Sequence, residues 1–322
     1  MATTMLPDPD LLPDVLPTDR LQQTGMPVPA VRADLRRISN ARSALTVLGC
    51  LLQTFGVVAA AMWIGQWWAY AFAFLWMGRG HCLLNILGHE AAHRLLFTWR
   101  WLNDGVGKWL LAYPTFQAFT AYRRVHFAHH KDEMGPDEPD LALYAGYPIP
   151  SDSMRRKLTR DLFFVSGYKN MTGLGRALRG KSREAWCIVA VQAVLFGICI
   201  AVGQWWVYPV LWVAPWMTLW KLSNRLRAIA EHAGMTRSRD RRLTTHVVRQ
   251  SRIARLMFVP YNTGWHLAHH VDMGVPWRNL PRLHTELVRA GWVTEELTYP
   301  SYRALWRKLA SGAPRSVAPV AA

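Results

Sequence analysis

The sequence predicts an all-α membrane protein in which four transmembrane helices pair into two hairpins beneath a cytoplasmic helical cap. Three observations carry that reading. Residues 43–78 and 185–220 each run 36 positions without Asp, Glu, Lys or Arg. "GQWWAY" at 65–70 and "GQWWVY" at 203–208 place near-identical polar motifs at the centres of those runs. Basic residues crowd the segments outside the runs and are missing from both central motifs.

The chain opens on "MATTMLPDPDLLPDVLPTD", which is acidic and proline-rich and lacks the basic start and apolar stretch of a signal peptide. We expect a disordered tail over residues 1–29 and a helix lying at the membrane interface over residues 30–43, within "VRADLRRISNARSAL". A spanning helix takes roughly 20 apolar residues, so each charge-free run is long enough for two. The expected spans are about 44–64, 67–87, 185–203 and 205–222. Gly-Gln supplies the turn in each hairpin, and paired Trp suits the headgroup level, where an amphipathic ring has one wet and one greasy side. Both turns therefore belong on one face of the bilayer. A second disordered tail is expected over residues 311–322.

Charge orients the hairpins. Of 38 Lys and Arg, 5 fall in residues 1–43, 15 in 94–183 and 16 in 223–322. Basic loops stay on the cytoplasmic side, so both termini and the long middle segment are expected there. The net charge of +17 and stretches such as "RSRDRR" at 237–242 fit a surface lying on anionic headgroups. Given the spans, nucleic acid is not an expected partner. The four cysteines, Cys50, Cys82, Cys187 and Cys199, lie in or near apolar segments without a CxxC spacing; they read as small hydrophobes, and neither a disulfide framework nor a thiolate metal site is indicated.

Chemistry is concentrated in the histidines. Eight of the 12 stand in "HEAAH" (His89, His93), "HFAHH" (His126, His129, His130) and "HLAHH" (His266, His269, His270), and His232 lies in "AEHAG". On a helix, i, i+3 and i+4 share a face, so each cluster projects its rings into one small volume. His89 lies 23 residues past the first turn, roughly 35 Å along a helix, just beyond an apolar core of about 30 Å. His232 reaches the same side if the fourth helix runs on unbroken. Zinc takes three or four protein ligands, too few to use nine imidazoles, whereas two ions with four or five ligands each use the whole set. Imidazole suits Zn, Cu, Fe and Ni alike, so the ligand type alone does not choose the metal. "HEAAH" is also a literal HExxH, the zinc-protease signature with Glu90 as general base, but that reading leaves the other two clusters idle. His81, His246 and His284 are expected to be ordinary structural residues.

The order HxxxH, HxxHH and a late HxxHH around two hairpins resembles the integral-membrane fatty acid desaturase family. The resemblance runs from about residue 40 to 290, with the desaturase-like domain expected over residues 44–310. It matches His89, His93, His126, His129, His130, His266, His269 and His270, and His232 falls where relatives supply a further histidine. "GPDEPDLALY" after the second cluster and "YNTGWHLAHHVDMGVPWRNLPRLH" around the third also look like family sequence. The resemblance implies two non-haem iron ions in the cap and O2 as co-substrate. It implies oxidation of an unactivated C–H bond in an acyl chain, giving a double bond or, alternatively, an alcohol. The substrate would be an acyl-lipid, acyl-carrier or acyl-CoA molecule, reached through an apolar tunnel. Electrons would come from an external donor such as a ferredoxin or cytochrome b5 with its reductase. Asn262, Glu90, Glu231, Asp132 and Asp272 are candidates to orient the ligating rings through their second nitrogen.

Overall fold

The computed structural model describes residues 4–313 and is mostly helical. Residues 4–28 do not form the expected disordered tail. Met5, Leu16 and Leu21 are buried in the cap, Leu21 bridges to Pro27, and Arg20 Nε donates to Glu286 at 2.7 Å. Prolines reduce the entropy lost on ordering, and the spaced apolar side chains supply burial in return. The helix expected over 30–43 is divided: α1 covers Pro29–Leu35, and α2 starts at Asn40, with the Ser39 hydroxyl accepting from the Arg42 amide. At the other end the Gly312 amide donates to Ile149 O at 3.0 Å, and residues 314–322 of the second expected tail lie outside the described residues.

Helix α2 (Asn40–Ile64) turns into α3 (Trp67–Ala92) through Gly65, whose φ of 67° is the left-handed conformation glycine adopts without strain. The short α4 (Arg100–Val106) follows and continues as a π-helical turn over Gly107–Ala112. Next come α5 (Phe119–Lys131), α6 (Leu141–Tyr144), α7 (Ser151–Leu162) and α8 (Val165–Arg179). The second hairpin begins with α9 (Arg183–Ala201) and turns at Gly203, φ 74°. Its returning arm is helical without interruption from Val207 to His232; π-helical turns at Tyr208–Val213 and Trp216–Trp220 lead into α10 (Lys221–His232). Three cap helices close the chain: α11 (His266–Val271), α12 (Leu280–Arg289) and α13 (Tyr302–Leu309). A two-residue parallel pair joins Val247–Val248 to Thr298–Tyr299.

The two hairpins meet at their turns. Tyr70 OH donates to Gln204 Oε1 at 2.9 Å, the Tyr70 ring meets the Trp206 ring edge-on at 4.8 Å, and Gln204 Nε2 donates to Met62 O. Further along, the two arms pack at Gly78, where a Cβ would come within 2.6 Å of Leu219 Cβ. Val47, Met77, Leu84, Ile188 and Trp212 belong to the apolar core between the hairpins.

Among the described residues, α2 and α9 are long and apolar enough to cross a membrane. Both keep large apolar side chains on the outside, including Leu45, Leu48, Leu52 and Trp63 on α2 and Trp186, Val194 and Ile198 on α9. The arms that carry the histidines, α3 and the helix ending in α10, turn much more of their surface inward.

Candidate metal centre

The histidines arrive on four helix ends. His89 and His93 close α3, His126, His129 and His130 close α5, His232 is the last residue of α10, and the third cluster makes up α11. Arg123 fixes the first two ends against each other. Its guanidinium donates to Ala92 O at 2.9 Å and Ala91 O at 3.0 Å, at the end of α3 where carbonyls run short of helical partners, and it pairs with Asp104. Asn103 adds a bond to Ala91 O at 2.8 Å. Because Arg123 lies three residues before His126, this clamp sets the ring of His126 against that of His93.

All nine predicted histidines converge. His89, His93, His126, His130 and His269 form one group and His129, His232 and His270 a second, each with ligand atoms within 4.8 Å of one another. His266 joins the second group: its Nε2 lies 3.0 Å from both His232 Nε2 and His270 Nε2. In the first group His126 Nε2 faces His93 Nε2 at 2.8 Å and His130 Nε2 at 3.1 Å, and His269 Nε2 faces His130 Nε2 at 3.1 Å. Such a set cannot be satisfied by hydrogen bonds alone, since a neutral imidazole carries one N–H, and a second face-to-face nitrogen then meets a lone pair with a lone pair. Rings that share an ion at about 2.0–2.1 Å each bring their nitrogens to roughly this spacing. The donor set therefore fits two cations.

Electrostatics keep most of these rings in the ligating form. Burial, reinforced by neighbouring imidazoles, holds His89, His126, His130, His266 and His269 well below the usual histidine range. Burial takes His93 and His270 down to about 3, with Glu133 opposing it at His270. His232 is also pushed down by burial, but its contact with Glu133 outweighs that and raises it.

The outer nitrogens are held by residues that sequence reasoning mostly missed. Glu133 Oε2 lies 3.0 Å from His270 Nδ1 and its Oε1 3.3 Å from His232 Nδ1, which also donates to Thr244 O at 2.9 Å. Glu133 is anchored in turn by Arg241 and by Thr245 Oγ1 at 2.9 Å. Glu138 pairs with His129 Nδ1 and accepts from the Met134 amide, and Tyr144 OH is 3.2 Å from the same His129 nitrogen. Of the five expected supporting residues, Glu231 approaches a ring, at 3.5 Å from His266 Nδ1. Glu90, which burial raises to about 8, accepts from the Trp277 amide at 3.0 Å. Asn262 donates to Trp277 O, Asp132 pairs with Arg237, and Asp272 pairs with Arg32 and Arg36. These four brace the frame around the rings, without a hydrogen bond to any of the nine. A carboxylate one helical turn beyond His129 and His130 is the sequence signal that points to Glu133.

His246 and His284 lie apart, as expected: His246 Nε2 donates to Ala233 O at 2.9 Å, and the His284 ring lies tilted against Trp265 with centroids 4.2 Å apart. A cavity of about 400 Å³ opens on His89, His126, His129, His232 and His266 and extends along α10.

A buried polyhistidine centre at the end of paired apolar helices defines the class of a candidate dimetal protein. The chain belongs to the fatty acid desaturase family, whose model matches residues 65–303. It is 24% identical over 256 residues to dihydrorhizobitoxine desaturase of Bradyrhizobium elkanii, covering 74% of this chain and 70% of that one. It is 24% identical over 285 residues to sn-1 oleoyl-lipid 12-desaturase of Picosynechococcus sp., covering 78% and 75%. The protein is thus an enzyme of desaturase type.

Proposed function

We propose that the protein inserts a double bond into the alkyl chain of an acyl substrate, using O2 and electrons from a separate donor. The observation that carries this reading is the convergence of nine imidazoles into two groups with opposed Nε2 atoms. His89, His93, His126, His130 and His269 would hold one iron, and His129, His232, His266 and His270 the other. When bound, the iron pair supplies O2 activation and the oxidising power to remove hydrogen from an unactivated carbon.

The chain's own residues prepare that chemistry. Burial keeps the rings of the first group neutral and ready to bind. Glu133 and Glu138 hold His232, His270 and His129 by their Nδ1 side, which fixes ring orientation and leaves Nε2 facing inward. Tyr122 stacks on His126 at 5.5 Å and, with Phe116, walls the cavity beside the rings.

The same reading places four spans in the membrane, with α3 and the helix leading into α10 as partners of α2 and α9. It puts both termini and the site on the cytoplasmic face, where the excess of Lys and Arg lies. That basic face suits an acidic redox donor such as a ferredoxin as well as anionic lipid.

Expression in a lipid-producing host, with mass spectrometry of total and free acids, tests the reaction. A product two mass units lighter than its precursor is expected. A gain of sixteen would make the enzyme a hydroxylase and overturn the desaturation reading. Metal analysis giving one zinc and no iron would overturn the whole assignment.

A further inference from the structure

An acyl chain of a membrane lipid calls for an apolar tunnel, yet the cavity that reaches the histidines is polar along much of its length. Helix α10 supplies one wall, with Lys221, Asn224, Ala228 and His232 following one another at helical spacing. Eleven residues separate Lys221 from His232, roughly 16 Å along the helix. The histidine end holds Asp140 and Glu231; Glu231 is paired with Arg227 at 3.2 Å. The far end is different.

There Lys221 Nζ lies 4.0 Å from the centroid of the Trp216 ring. With the Asn170 amide turned so that both its groups are satisfied, its oxygen accepts from Lys221 Nζ at 2.8 Å. Among the described residues no carboxylate lies within 4.0 Å of this ammonium; the nearby Asp161 is engaged by Arg225. Two further polar atoms on the lining, Gln117 Oε1 and Arg227 Nε, are buried without a partner. An apolar chain filling this space would leave Gln117 Oε1 and Arg227 Nε unanswered and enclose the Lys221 ammonium without a counter-charge, whereas a buried cation is best tolerated when a counter-charge accompanies its hydrogen bonds. A ligand oxyanion at the Lys221 end supplies that counter-charge, while Trp216, Trp220 and Ile86 offer apolar contact to a chain running on toward the rings.

We propose that this enzyme takes its substrate as a free, compact carboxylic acid, with its carboxylate bound at Lys221 and its alkyl chain directed to the histidines. Lys221 is a specificity-determining residue. This rests on the desaturase reading for the reaction, but the binding site is testable without turnover.

The test is calorimetric titration of the full chain in phosphatidylcholine nanodiscs with octanoate and with methyl octanoate, which has the same chain without the charge. Octanoate is expected to bind at least about tenfold more tightly. Lys221→Met is expected to erase that difference, and Lys221→Arg to keep most of it. Unchanged iron content and melting temperature in both variants would show that they are folded. Equal binding of acid and ester, or discrimination that survives in folded Lys221→Met, would overturn the proposal. Nanodiscs containing phosphatidate separate the two sources of oxyanion: octanoate affinity should not change, whereas blocked uptake would assign the site to a lipid phosphate and overturn the free-acid assignment. If octanoate binds as expected and no tested acid loses two mass units, the reaction reading fails while the anion site stands. If lipids are desaturated in the host and octanoate does not bind, the anion site fails and the reaction stands.

Discussion

Oε2 of Glu133 lies 3.0 Å from Nδ1 of His270, while the other oxygen of the same carboxylate is 3.3 Å from Nδ1 of His232. One buried acid therefore stands within ion-pair distance of two rings of the second histidine group, from α11 and α10. Burial pushes its carboxyl up, but His270 and His232 beside it outweigh that and hold it far below the usual range. Glu133→Gln keeps the shape and removes the charge. Iron retention and activity are expected to fall about 10- to 100-fold, as for other outer partners of metal-bound histidines, measured by metal analysis after dialysis and by product yield.

Removing one ring from each group tests the division of ligands. His269→Ala in the first group and His266→Ala in the second are each expected to lower iron from about two per chain toward one and to abolish turnover, since loss of a ligand opens the coordination of one ion. Elemental analysis with paired activity assays checks this, and unchanged iron in either variant would remove that residue from the ligand set.

Stability should depend on pH through two histidines outside the centre. Burial takes His246 and His284 down to about 4. In the unfolded chain both protonate near the ordinary value of about 6.5. Between these limits the unfolded state binds more protons, so stability is full above about 6.5 and falls as pH drops toward 4. Melting temperature across that window checks the sign, and His246→Gln is expected to flatten the slope.

The amino-terminal segment is part of the folded cap. Leu21 is 1% exposed and packs with Leu287 and Trp292. Leu21→Ala is expected to cost about 2–4 kcal/mol, read as a lower melting temperature of the purified protein. A variant that melts like the parent would show that this segment adds nothing to the cap.

The hairpin contact at the turns is testable in the same way. Tyr70→Phe removes the bond to Gln204 and is expected to destabilise by roughly 0.5–1.5 kcal/mol, with product distribution unchanged because the site lies at the opposite end of the helices.

The histidines and the hairpins were legible because their chemistry is written in residue type and spacing: three clusters at i, i+3 or i+4, and two 36-residue stretches free of charge. The supporting residues were not, because their positions depend on where the chain goes after a helix ends. Glu133 and Glu138 follow α5 in an irregular segment that folds back beneath the rings, whereas Asp132, a single position earlier, points to Arg237. Asp272 adjoins the third cluster in sequence and yet serves α1 through Arg32 and Arg36. The break between α1 and α2 and the ordered start of the chain reflect the same dependence: Met5, Leu16 and Leu21 find their burial on residues far away in sequence. The polar cavity wall arises where the face of α10 meets Gln117 and Asn170 from two other parts of the chain.

The pairing of Arg20 with Glu286 joins residues 266 positions apart. Leu16 and Leu21 share a cluster with Leu283, Leu287, Trp292 and Val293, and Met5 shares another with Leu305 and Leu309. Burial of the amino-terminal segment therefore depends on residues 283–309. A chain cut before residue 280 would lack α12, which packs against α11, and would leave the third histidine cluster unbraced.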